Sequence, residues 1–70
     1  MSLVKEPQYP DVRVTLAGTE GNAYGIIATV SRQLRRIRGV GAEADFKREA
    51  QECESYDALI QLVLDTVTVE

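Results

Sequence analysis

Residues 11–38 read DVRVTLAGTEGNAYGIIATVSRQLRRIR, and the change of rhythm inside this run decides the fold. In 11–16 apolar and polar residues alternate, with Val12, Val14 and Leu16 on one side and Arg13 and Thr15 on the other. That period of two, carried by β-branched side chains, predicts a half-buried strand. Beyond the glycines, Ala23, Ile26, Ile27, Val30, Leu34 and Ile37 recur at steps of three and four. This spacing predicts a helix from about Asn22 to Arg38 with one apolar side. Asn22 or Thr19 suits the N-cap, and Gly39 suits the position just past the C-terminus. Arg32, Arg35, Arg36 and Arg38 crowd the last turns, where cations complement the helix dipole.

Working outward, Gly39-Val40-Gly41 predicts a tight connection to a second helix over about 42–54. Phe46, Ala50 and Cys53 make its narrow apolar stripe; Glu43 with Lys47, and Arg48 with Glu52, have favourable four-residue spacing. Ser55 reads as the N-cap of a third helix, Tyr56 to about Asp65. Its apolar residues spread over about 240° of circumference at about 100° per residue, wider than the arc a single surface helix normally buries. It is therefore either sandwiched within the fold or covers a second molecule, through Tyr56, Leu59, Leu62 and Val63. The alternating Thr66-Val67-Thr68-Val69 predicts a second strand. On the other flank, residues 1–10 hold both prolines and read as an extended or frayed arm preceding a single domain over 11–70. The expected class is α+β, in the order β-α-α-α-β, with three helices on a two-stranded sheet. Three reversals would make the strands parallel; whether they pair within one chain or across a dimer is open at this stage.

Seventy residues bury only about 60% of the surface their unfolded chain exposes. Domains of this size usually gain support from disulfides, a metal or oligomerisation. One cysteine makes no intrachain disulfide, and with no histidine there is no zinc set. Homodimerisation or one protein partner is the remaining expectation, with no cofactor or metal. The net charge of −3 disfavours general attraction to nucleic acid or to an anionic membrane. No apolar run approaches the roughly 18 residues of a membrane span, and no secretory leader pattern opens the sequence, so a cytoplasmic location is expected.

The chemistry-bearing candidates are few. GTEGNAYG, residues 18–25, joins strand to helix as a phosphate-binding loop would. It lacks the lysine of the Walker pattern and the spacing of the dinucleotide fingerprint, and Glu20 would repel a phosphate. Its glycines are read as turn residues, and Gly25 as a point where another backbone comes close. Arg32, Arg35 and Arg36 share one face and could contact phosphates. A helix-turn-helix reading fails on the second helix, whose Asp45, Glu49, Glu52 and Glu54 would face the DNA backbone. A solvated face serving the helix terminus is the plainer account of the arginines. Cys53 has no histidine base, and its neighbours Glu52 and Glu54 disfavour the thiolate, so it reads as a packing residue. No catalytic residue is assigned.

The run YPDVRVTLAGTEGNAYGIIATVSRQLRR with the tail SYDALIQLVLDTVTVE resembles a group of short bacterial and phage-associated proteins. They share a strand, a G-x-x-G-N-A-aromatic turn, an arginine-ended helix and an acidic closing strand. The resemblance spans Tyr9 to Glu70 and implies no activity and no functional residues. The reading reached is a non-enzymatic interaction module working through the third helix; the alternative is a nucleic-acid accessory protein using Arg32, Arg35 and Arg36.

Overall fold

The computed structural model describes residues 6–16 and 22–70. The elements run β1 (Tyr9–Val14), α1 (Ala23–Arg38), α2 (Val40–Gln51), α3 (Tyr56–Thr66) and β2 (Val67–Val69). This is the expected β-α-α-α-β order, and the two strands pair in parallel within the one chain.

β1 starts at Tyr9, inside the segment expected to be an arm. Gln8 N–H donates to the Asp65 carbonyl at 2.9 Å, and Tyr9 pairs with Val67. Pro10 is tolerated because it has no ladder N–H to give, while its carbonyl accepts from the Thr68 hydroxyl at 2.9 Å. The next pairing is Arg13 with Thr68, so residues 10–12 bow out opposite a single step of β2. Glu70 N–H donates to the Val14 carbonyl at 2.8 Å at the far end of the ladder. Val12 and Val14 are buried while Arg13 and Thr15 are exposed, as the alternation requires.

α1 opens on Asn22, whose side-chain carbonyl accepts from Gly25 N–H at 3.0 Å. A Cβ on Gly25 would stand 3.3 Å from the Asn22 side chain, so that glycine accommodates the cap, not a neighbouring backbone. The expectations for Thr19 and for Gly18, Glu20 and Gly21 concern residues outside those described. Gly39 alone separates α1 from α2, with φ at 97°. Its N–H reaches the Leu34 and Arg35 carbonyls at 3.0 and 3.1 Å, and a left-handed backbone of this kind favours glycine. Because one residue makes the corner, Val40 and Gly41 are already helical instead of forming a connection. α2 tightens and stops at Gln51, short of the expected Glu54. Glu52 thereby falls off the helix, and Arg48 pairs with Asp45 at 3.1 Å instead; Glu43 and Lys47 meet at 3.5 Å as expected. Ser55 caps α3, accepting from Ala58 N–H at 3.1 Å. Val67 both ends that helix and begins β2.

The core is one cluster drawn from every element: Val12 and Val14, Ile26, Val30 and Leu34, Ala42, Phe46 and Ala50, Leu59 and Val63, and Val67. Phe46 is the largest side chain buried there. Thr66 is buried with its hydroxyl donating to the Leu62 carbonyl at 2.6 Å. Ile37 departs from the periodic expectation, being 42% exposed. The helix outruns the core by its last turn, and Leu34 is the last residue of α1 with apolar neighbours to bury against.

Candidate functional site

The apolar arc of α3 divides into a spent part and a surplus part. Leu59 and Val63 are buried in the chain's own core, and Leu62 is half-buried against it. A surface centred on Leu59, Leu62 and Val63 is therefore largely withdrawn from solvent, with Leu62 alone of the three reaching the surface, at the edge of a second cleft. Of the four residues expected at the interface, Tyr56 is the one that counts as exposed. The open edge lies one step round the helix. Tyr56, Ile60 and Leu64 follow at i, i+4 and i+8, a line along one side of the helix. Ile60 is half-buried and Leu64 is 48% exposed. Sequence reasoning missed Ile60 and Leu64 as a row. The four-residue spacing was the available signal, hidden because the whole helix is apolar.

A cleft of about 420 Å³ opens beside this row, between the first turn of α1 and the link from α2 to α3. Tyr24, Ile27, Cys53, Glu54, Tyr56 and Leu59 contribute to its walls. Tyr24 projects from the first turn of α1 and is the most exposed large apolar side chain described. Cys53 is half-buried there, its thiol directed to the Glu49 carbonyl at 3.5 Å, in keeping with a packing role. A second, smaller cleft of about 340 Å³ is edged by Glu6, Glu49 and Asp65.

The arginines form the other candidate. Arg13 pairs with Glu70 at 3.6 Å, Lys47 and Arg48 are paired within α2, and Arg38 meets Asp11 at 2.6 Å while lying 5.4 Å from the Tyr9 ring centre. The Arg38 hydrogen bond, more than its charge alone, holds the Asp11 carboxyl below its ordinary pKa. Arg32, Arg35 and Arg36 remain, all exposed; among the described residues they alone of the cations have no anionic partner. The expected grouping of these three on one open face is present. The described residues contain no cluster of three or more side chains suited to a metal ion.

Comparison with family models, curated proteins and solved structures finds no match to this chain. No described helix is long and apolar enough to cross a membrane.

Proposed function

We propose that the chain is a non-enzymatic protein-interaction module of the bacterial or phage-associated cytoplasm, working through the outer side of α3. The observation that carries this reading is the Tyr56–Ile60–Leu64 row, whose two ends, Tyr56 and Leu64, stay exposed while Ile60 between them is half-buried against the core. A scattered exposed leucine needs no explanation, but an aligned row beside an aromatic-lined cleft is the form an interface takes. The absence of histidine from the sequence and the exposed, arginine-paired setting of Asp11 and Asp45 support a role without chemistry.

The test is a photoreactive residue placed at position 64 and, as control, at position 28, which is exposed on α1. Position 64 should crosslink one discrete protein, either a second copy or another chain, and position 28 should not. Leu64→Glu should abolish that contact with the helical circular dichroism unchanged. Equal labelling from both positions would sink the reading. Leu64 serves as the probe and Leu62 does not, because a charge at half-buried Leu62 would disturb the core as well.

The three arginines without an anionic partner among the described residues favour one second reading, a nucleic-acid accessory role. It predicts a complex that weakens steeply with salt. A gel shift with none at low ionic strength removes it.

A further inference from the structure

Among the described residues, most charges without a salt bridge fall at two places. Arg32, Arg35 and Arg36 stand near the Gly39 corner. Glu52, Glu54 and Asp57 have no salt bridge among the described residues and follow one another where α2 gives way to α3; Glu6 and Glu49, also without one, edge the second cleft instead. The cleft described above lies at that acidic end, since Ala23 of α1 and Ala50 of α2 both help to line it. Ile37 lies thirteen helical steps after Tyr24, so corner and cleft are about 20 Å apart at about 1.5 Å per residue.

The apolar surface is sorted in the same way. Ile37 and Val40 flank Gly39 and are 42% and 62% exposed, an apolar pair beside the unpaired arginines. At the other end, Tyr24 and Tyr56 edge an apolar cleft beside the unpaired carboxylates. One end is thus a small basic projection with an apolar tip, and the other a recess with apolar walls that holds one carboxylate, Glu54, with Glu52 and Asp57 close by in the chain. They complement each other in charge and in polarity, and corner and recess of one molecule are too far apart to meet.

The geometry points to a second copy of this chain as the occupant of the cleft: the Ile37–Val40 corner of one molecule enters the Tyr24–Tyr56 recess of another, with Arg35 and Arg36 facing Glu52 and Glu54. This rests on the interaction-module reading and shares Tyr56 with the α3 row, but does not use Ile60 or Leu64. Two copies placed antiparallel make the contact twice and close a pair, the usual outcome for a small homo-oligomer.

The test is solution mass by light scattering over a wide concentration range, at low salt and at about 1 M, where screening cuts charge attraction to about 3 Å. The wild type should reach twice the 7.7 kDa of one chain at low salt and lose mass at high salt. R35E/R36E should be monomeric, and so should E52R/E54R. Mixed in equal amounts they should regain the doubled mass, because each variant's altered end now matches the other's. All four positions are exposed, and circular dichroism of each variant checks the fold. Should the R35E/R36E chain not fold, loss of self-association in E52R/E54R alone still carries the test. A wild type that stays monomeric throughout overturns the proposal, as does a mass indifferent to both reversals or a mixture that fails to pair. Arginine reversals that abolish only nucleic-acid binding, in a monomeric protein, also overturn it. Leu64→Glu leaves corner and cleft intact. Mass lost there but kept in both reversals overturns the corner-in-cleft contact and leaves the α3 row standing, and the converse pattern does the reverse.

Discussion

α1 and α3 solve the same problem in opposite ways. α1 carries its buried apolar residues, Ile26, Val30 and Leu34, at four-residue steps down one side with Ser31 buried beside them, and its other side is largely polar. α3 is apolar nearly all round, yet only Leu59, Val63 and Thr66 are buried. The first helix has what the core requires; the third has more. The difference separates residues selected by folding from residues that folding alone does not explain, and it is the surplus on α3 that motivates a search for a partner.

Matched truncations would break this comparison most sharply. Leu34→Ala removes a fully buried side chain from α1 and should cost about 2–5 kcal/mol. That is a large share of the stability of a domain this small. Leu64→Ala, at 48% exposure, should cost within about 0.5 kcal/mol. Urea denaturation of both variants decides it, and equal losses would mean that α3 has no surplus. The caps offer a finer comparison. Asn22→Ala and Ser55→Ala each remove one side-chain acceptor at a helix start and should each cost about 1 kcal/mol. A markedly smaller loss for Ser55 would show α3 held by its packing more than by its cap.

The smallest effect concerns the pair that ties β1 to the end of α1. The Asp11 carboxyl is held below its ordinary value near 3.8, first by the hydrogen bond from Arg38. A depressed carboxylate contributes stability that is complete above that ordinary value and is lost as pH falls through the lowered one. The group lies in solvent, so the contribution is slight. Asp11→Asn should leave stability near pH 7 almost unchanged and flatten only the acid limb below about pH 4. An acid limb identical to that of the wild type would show that the Asp11–Arg38 pair is not maintained in solution.

Much of this fold was legible because local signals agreed. Asn22, the 26–30–34 spacing and Gly39 all mark the same helix, and Ser55 marks the next. The misreadings have physical causes. Pro10 suggested a break, but a proline loses nothing on a strand position that needs no N–H. Ile37 fits the period, but periodicity does not say where the core beneath a helix stops. The arc of α3 announced surplus apolar surface, but which part is spent depends on how α1 and α2 cross it, and no local pattern records that. The arginine grouping was visible in the sequence. That its members lack ion partners among the described residues while Arg13, Arg38, Lys47 and Arg48 have them was not, because those pairings depend on the end of β2, on β1 and on where α2 stops.

The pairing of β1 with β2 also has a consequence for the order of events in folding. Thr68 donates to the carbonyl of Pro10 across 58 positions of chain, and closing a loop of that length costs about 3.6 kcal/mol in chain entropy before any constant term. The α1–α2 hairpin, turned by a single glycine, asks for no such closure. Collapse should therefore begin at the hairpin, with α3 docking on it, and the sheet should zip last as the slow step. During synthesis β1 emerges first and must wait for all three helices before its partner strand exists. In that interval it is an exposed, β-branched edge that only the speed of the following helices protects.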